Sequence, residues 1–213
     1  LKGDPQALSL VFTAADGGVV SAEDLLRAWK NRDSAIKLSG TNTWATLPLE
    51  WLERHSESLQ RLLEAREKNE KIPSRLVGDI GEICDSIAVP VPEYFARLRA
   101  GLADTSTIPA VSLPEDLSAT LRPYQIEGVN WLSFLNDHGL GALLADDMGL
   151  GKTLQALCVI KGRTLIVAPT SVLSSWEEQI ATFRPNLRVC RYHGSRRELS
   201  FDADLVLTSY SIL

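Results

Sequence analysis

The sequence has few cysteines and no long apolar run. Its three cysteines, at positions 84, 158 and 190 of the 213 residues, form no C-x-x-C pair and no Cys/His cluster. We therefore expect neither a zinc site nor a disulfide framework, and isolated thiols fit a reducing cytoplasm. No apolar run reaches the roughly 18 residues that a membrane span needs. The first ten residues lack the order of a signal peptide, so we expect a cytoplasmic protein without a membrane partner.

An excess of positive charge is also lacking. The net charge is −5, and the fractions of hydrophobic and charged residues, 45% and 23%, are ordinary for a soluble globular protein. Proteins that hold nucleic acid by bulk charge are strongly basic. Any contact of this chain with nucleic acid must therefore be local.

What the chain does contain is two regions of different pattern. Short strands, turns and amphipathic helices predict a mixed α+β accessory domain over residues 1–103. The segment 104–116, DTSTIPAVSLPED, is rich in Thr, Ser and Pro and is interpreted as a linker. Over 117–213, apolar strands alternate with helices, which predicts a parallel sheet with flanking helices. The predicted strands here are GALLA (141–145), TLIVA (164–168), LRVCRYH (187–193) and DLVLTS (204–209).

The stretch LLADDMGLGKT, 143–153, has the pattern of a phosphate-binding loop. Gly149 and Gly151 allow backbone N–H groups to turn inward around phosphate oxygens, and a helix is predicted to begin near Lys152. Lys152 can reach the β- and γ-phosphates, and the Thr153 hydroxyl can ligate magnesium. The alternative is a tight strand–helix turn that binds nothing. The apolar stretch before the loop and the amphipathic helix after it favour the nucleotide site.

Five stretches in order resemble the successive motifs of SWI/SNF-type ATPases of helicase superfamily two. They cover roughly residues 118–213 and read LRPYQIEGVNWL, LLADDMGLGKTLQAL, TLIVAPTSVLSSWEEQI, YHG and DLVLTSYSIL. The resemblance implies an α/β fold with a partial RecA-like parallel sheet. Members commonly have Asp-Glu before M-G-L-G-K-T, where this chain has Asp146-Asp147. The amino-terminal half resembles, more loosely, the accessory region of some bacterial members, which favours a bacterial source.

The resemblance implies ATP and Mg as cofactors. Gln125 would read the adenine edge, Arg122 and Tyr124 would shape that pocket, Lys152 would be the catalytic lysine, and Thr153 would ligate Mg. A surface helix with a solvated Gln125 is the alternative. The residues expected to contact ATP are Arg122, Gln125, Asp147, Met148, Gly149, Leu150, Gly151, Lys152 and Thr153.

The resemblance also implies contacts with the backbone of double-stranded DNA. The positions that match such contacts in the family are Thr170, Ser171, His193, Gly194, Thr208 and Ser209. From the residues alone, Thr170 and Ser171 are better explained as an ordinary helix cap. Taken by itself, His193 is more often a partly exposed histidine without a special role.

A complete motor of this family needs an acidic pair on a later strand and arginines from a second RecA-like lobe. The chain ends before the family's Asp-Glu motif, so we expect an amino-terminal part of a nucleoid-associated bacterial DNA translocase, inactive in hydrolysis by itself. We also expect a gap in the sheet between the phosphate-loop strand and the TLIVA strand.

Two other functions are considered. In one, the first region is a regulatory or partner-binding module and the ATP site is incidental. The other is a small-molecule P-loop enzyme such as a kinase, which the YQ…GVNWL helix ahead of the loop disfavours.

Overall fold

The computed structural model describes residues 11–14, 17–41, 43–69 and 72–213. They belong to two compact units, which divide between Thr107 and Ile108. This division falls inside the segment 104–116 that the sequence marks as a linker. Within the described ranges, no helix is both long enough and apolar enough to cross a membrane.

The first unit combines antiparallel hairpins with helices. Strand β1 pairs with β2, and β3 pairs with β4. Its elements are β1 Val11–Thr13, β2 Val19–Ser21, α1 Ala22–Lys30, β3 Ala35–Lys37, β4 Trp44–Thr46, α2 Leu49–Asn69, α3 Val77–Ser86 and α4 Glu93–Ala103, with short 3-10 turns at Ser74–Leu76 and Thr105–Thr107.

Local capping and an apolar helix face explain this unit. The Ser21 hydroxyl accepts the Asp24 backbone N–H at 3.0 Å and donates to the Asp24 carboxylate at 2.8 Å, which fixes the start of α1. Helix α2 lies against α1 and α3, with Leu52, Leu59 and Leu62 fully buried. The core of this unit is therefore built around the central helix α2.

The second unit has the predicted α/β fold class. Its parallel sheet has the strand order β5-β7-β6, and helices flank it. Its elements are α5 Pro123–Asp137, α6 Lys152–Cys158, β5 Thr164–Val167, a 3-10 turn at Thr170–Val172, α7 Leu173–Phe183, β6 Val189–Arg191 and β7 Leu205–Thr208. The central strand β7 buries Leu205 and Leu207 against Leu157, Leu173 and Ile180. This core positions the ends of all three strands at one edge.

The prediction of a strand at 141–145 is wrong. In the structure this segment belongs to no strand, and Leu143 is 85% exposed. A strand needs a hydrogen-bonded neighbour, and β5 pairs only with β7 among the described strands. The phosphate-loop segment and β5 thus do not share a sheet, in agreement with the expected gap.

Candidate nucleotide site and nucleic-acid face

The loop between residues 145 and 151 has the backbone of an anion cradle. Gly149 and Gly151 have φ of 90° and 78°, and Gly151 is the residue from which α6 begins. Residues with a side chain rarely adopt this left-handed backbone conformation, so both positions favour glycine. Asp147 and Met148 are exposed, and Leu150 is half-buried. The loop therefore presents backbone to solvent immediately before α6.

Lys152 directs its ammonium group back into this loop. Its Nζ donates to the carbonyl oxygens of Asp146 at 2.6 Å and Asp147 at 2.9 Å. An ammonium group has three donors, so these carbonyls leave one N–H for another acceptor. The charge lies where a polyphosphate would meet the loop.

Gln125 links helix α5 to the phosphate loop. Its Oε1 accepts the Arg122 backbone N–H at 2.9 Å, which caps α5, and its Nε2 donates to the Leu150 carbonyl at 3.1 Å. The Tyr124 hydroxyl donates to the same carbonyl at 3.2 Å. Gln125 is 7% exposed, while the Arg122 side chain is exposed. The interpretation of Gln125 as a solvated surface residue is therefore wrong.

The Gln125 contact also explains the small residue at the loop's end. A Cβ on Gly151 would lie 2.4 Å from Nε2 of Gln125. Any larger residue would displace the amide or the loop. The cap of α5 and the turn into α6 are thus packed against each other.

The donor set of the loop fits a magnesium-bound polyphosphate. Left-handed glycines at 149 and 151, a lysine and a half-buried Thr153 hydroxyl in the first turn of α6 supply N–H groups, a cation and a metal ligand. Within the described ranges, no three His, Cys, Asp or Glu side chains group as a metal site. A metal ion here would therefore depend on the phosphates for most of its ligands.

The second predicted set of residues gathers at the carboxyl ends of the parallel strands. The Thr208 hydroxyl donates to the Tyr192 carbonyl at 2.9 Å, and the Ser209 hydroxyl lies 3.2 Å from Nδ1 of His193. Across β5, the Ala168 N–H donates to the Thr208 carbonyl at 3.0 Å. All three strand ends are therefore connected.

Exposure divides this set. Thr170, Ser171 and Gly194 are exposed, whereas Thr208 and Ser209 are each only 2% exposed. The exposed residues are open to solvent, whereas the buried Thr208 and Ser209 hydroxyls contact Tyr192 and His193. We call the exposed residues, together with half-buried His193, the strand-end face.

Prediction from the sequence did not single out several buried polar residues of the second unit. Arg184 donates from Nε to Asp116 at 2.7 Å and from Nη1 to the Leu157 carbonyl at 2.6 Å. This pair fixes part of the predicted linker segment onto the second unit. Gln155 is fully buried beside α5. Gln155 lies one helical turn before Cys158 on the apolar face, and this spacing was the signal in the sequence that Gln155 is buried.

Comparisons with known proteins give one matching family model and several relatives. The family model of the SNF2-related domain matches residues 124–213. The Bacillus subtilis protein YwqA, named as an ATP-dependent helicase/translocase, is 43% identical over 52% of this chain and 14% of its own length. The TATA-binding protein-associated factor mot1 of Schizosaccharomyces pombe is 31% identical over 88% of this chain and 10% of its own length.

Solved structures give similar matches. A Sulfolobus solfataricus SWI2/SNF2 ATPase core in complex with dsDNA has 42% identity and a TM-score of 0.45, covering 48% of this chain and 24% of that one. A second structure of that ATPase core domain has 39% identity and a TM-score of 0.48, covering 52% and 25%.

Residues 124–213 are therefore part of an SNF2-related domain, and the resemblance to SWI/SNF-type ATPases is confirmed. The chain spans about a seventh of the length of YwqA and a tenth of mot1.

Proposed function

We propose that this chain supplies the nucleotide-binding part of an ATP-driven motor that moves along double-stranded DNA. The support comes from the phosphate loop, the SNF2-related domain and the relative named as a helicase/translocase. The matched relatives are far longer than this chain. In this proposal, the acidic pair and the second RecA-like lobe belong to parts of the motor outside these 213 residues. We place the motor in a bacterial cytoplasm, associated with the nucleoid.

In this proposal each residue of the loop has a distinct task. Lys152 exchanges the carbonyls of Asp146 and Asp147 for phosphate oxygens, because a charged acceptor binds an ammonium more strongly than a neutral one. The Thr153 hydroxyl holds magnesium, and the Gln125 amide faces the adenine edge, beside Arg122. Bound Mg-ATP supplies the phosphoanhydride whose cleavage drives movement.

The strand-end face takes the DNA backbone. Its hydroxyls and N–H groups are suited to phosphate oxygens, which position a protein on a duplex without reading its sequence. Arg197 adds a cation next to this face, since its Nη1 donates to the Gly194 carbonyl at 2.9 Å. A local contact of this kind agrees with an overall charge of −5.

The Lys152 ammonium group, which the first residue of α6 directs into the glycine loop, is the observation that carries the proposal. Lys152→Ala should lower ATP affinity at least tenfold, because a charge-assisted contact contributes about 1.5–3 kcal/mol. Binding is measured by competition with a fluorescent ATP analogue. Lys161→Ala is the matched control, since Lys161 pairs with Asp137 at 2.9 Å and both side chains are more than half exposed.

Equal ATP affinity of the Lys152→Ala and unsubstituted chains would contradict the nucleotide site. We expect no appreciable ATP turnover by these 213 residues with or without duplex DNA. Rapid DNA-stimulated turnover would show that the acidic pair and second lobe are not needed.

One observation favours a second function for the first unit. Val11, Ile87 and Val89 are 40–51% exposed and line an apolar cavity of about 230 Å³. Exposed apolar patches often mark protein contacts, so we propose residues 1–103 as a partner-binding or regulatory module. Ile87→Lys should then weaken partner binding and leave ATP affinity unchanged, and loss of both would contradict this assignment.

A further inference from the structure

Gln155 is a fully buried glutamine on the helix that follows the phosphate loop. Neither its Oε1 nor its Nε2 has a hydrogen-bond partner among the residues that the structure describes. A buried amide without partners destabilises a fold, and an apolar side chain of similar volume avoids this penalty. The conformation described here thus leaves the Gln155 amide free to gain a partner.

Two reciprocal contacts place this amide beside the nucleotide site. On α5, Gln125 packs over Gly151, where a Cβ would lie 2.4 Å from Nε2 of Gln125. One turn further along, Gly128 packs under Gln155, where a Cβ would lie 2.0 Å from Oε1 of Gln155. Each contact joins a glutamine of one segment to a glycine of the other.

The Gln125–Gly151 and Gly128–Gln155 contacts lie next to each other because of the residue spacing on α5 and α6. Gln125 and Gly128 are three residues apart on α5, and the Gln155 backbone N–H donates to the Gly151 carbonyl at 3.1 Å in the first turn of α6. Residues three or four apart on a helix lie about 5–6 Å from each other. The two amides therefore occupy adjacent layers of one interface.

The hydrogen-bonding capacities of these amides are complementary. Nε2 of Gln125 carries two N–H donors, and the Leu150 carbonyl takes one of them. Oε1 of Gln155 has acceptor capacity that no described residue uses. A spare donor on Gln125 and a spare acceptor on Gln155 thus lie in neighbouring layers of the same interface.

We propose that Gln155 is a positioning residue of the nucleotide site, whose buried Oε1 accepts the second N–H of Gln125 when a purine draws that amide off the Leu150 carbonyl. One N–H of Gln125 then faces the purine and the other is held by Gln155. This inference rests on the proposed ATP site. It adds a second glutamine that orients the one facing the base.

The test separates base recognition from phosphate binding and from stability. Gln155→Leu removes the polar amide while keeping an apolar side chain in the same space, and Gln155→Met is a second variant with a straighter side chain. Gly128→Ala displaces Oε1 without changing Gln155 itself. Gln179→Met, on α7, is the control for the same kind of substitution. Each chain is titrated with ATP and with tripolyphosphate, and its Tm is measured.

We expect the Gln155 variants and Gly128→Ala to raise the Kd for ATP about fivefold, the effect of one hydrogen bond. The Kd for tripolyphosphate should stay unchanged, and the Tm of Gln155→Leu should not fall. Unchanged ATP affinity in folded variants would overturn the proposal and leave Gln155 a packing residue. Equal weakening of both ligands would overturn it as well.

A failure of the ATP site itself would be recognisable separately. In that case the unsubstituted chain would bind neither ATP nor tripolyphosphate in a Lys152-dependent way. The proposed function and the role of Gln155 would then both be overturned.

Discussion

The two units differ in the polar groups that they bury. The buried polar side chains described in the first unit are three serines, Ser56, Ser58 and Ser74. Those of the second unit are Gln125, Ser133, Gln155, Arg184, Thr208 and Ser209, so this unit adds two glutamines and an arginine to such small hydroxyl residues. Serines are easily satisfied within a core, whereas a glutamine or an arginine needs specific partners.

This difference indicates where each unit is constrained. The first unit is held by apolar packing around α2, with most of its ion pairs at the surface. In the second unit, the buried side chains of Gln125 and Thr208 donate hydrogen bonds to the phosphate loop and to the Tyr192 carbonyl at the strand ends. A substitution of a polar residue should therefore matter more in the second unit than in the first.

The largest expected effect on stability is at Asp116. Its carboxylate is 2.7 Å from Nε of Arg184, with side chains only 14% and 8% exposed. Asp116→Ala leaves a buried guanidinium without its counter-ion and should destabilise the second unit by about 3 kcal/mol. Chemical denaturation measures the loss, and hydrogen exchange should locate it in residues 108–213.

Asp137→Ala provides the control for this prediction. Asp137 pairs with Lys161 at 2.9 Å, but both side chains are more than half exposed. Surface pairs contribute about 0–1 kcal/mol. Equal losses in the two variants would contradict the distinction between buried and exposed polar groups.

A smaller, stabilising effect is expected at Ala88 in the first unit. Ala88 has φ of 53°, just after α3, where the Val89 N–H donates to the Cys84 carbonyl at 3.0 Å. This left-handed position after a helix favours glycine. Ala88→Gly should stabilise the unit by about 0.5–1 kcal/mol, which thermal unfolding would detect.

The matched substitution is Ala96→Gly, at the exposed fourth residue of α4. There the same change should destabilise the first unit by about 1 kcal/mol, since glycine is unfavourable inside a helix. The same sign at both positions would contradict the backbone explanation.

The smallest expected effect is on how the stability of the second unit depends on pH. The Arg188 side chain donates two hydrogen bonds to Asp204, and its backbone N–H donates a third, which lowers the pKa of Asp204 from 3.8 to about 2. A lowered pKa stabilises the fold above pH 3.8. That contribution is lost as the pH falls from about 4 to about 2.

Asp204→Asn should therefore reduce the loss of stability between pH 4 and pH 2. Acid titrations of the two chains, followed by circular dichroism, would measure it. In the first unit, Arg99 similarly lowers the pKa of Asp85 through a side-chain hydrogen bond. An Asp204→Asn titration identical to that of the unsubstituted chain would contradict this role for Asp204.

Local sequence was sufficient for helices but not for sheet edges. Serine favours a helix cap and proline the first turn of a helix, and in the structure α1 follows Ser21 and α5 begins at Pro123. The segment 141–145 has the apolar composition of a strand, yet pairing depends on a neighbour that the local pattern cannot reveal.

For the candidate site, the backbone of the glycine loop could be predicted because it depends on contiguous residues, with Gly149 and Gly151 at positive φ directly before α6. The partners of Gln125 could not, since the Leu150 carbonyl is 25 residues away along the chain. The same holds for the burial of Gln155 against Gly128 and of Arg184 against Asp116. These contacts depend on how helices pack, which residue spacing alone leaves open.

The central claim is that the second unit carries the nucleotide site, and hydrogen exchange with and without ATP tests it most directly. We predict that ATP slows exchange at residues 146–158 and near Gln125, leaves residues 17–66 unchanged, and has no effect on the Lys152→Ala chain. Protection confined to the first unit, or the same protection in Lys152→Ala, would contradict the claim.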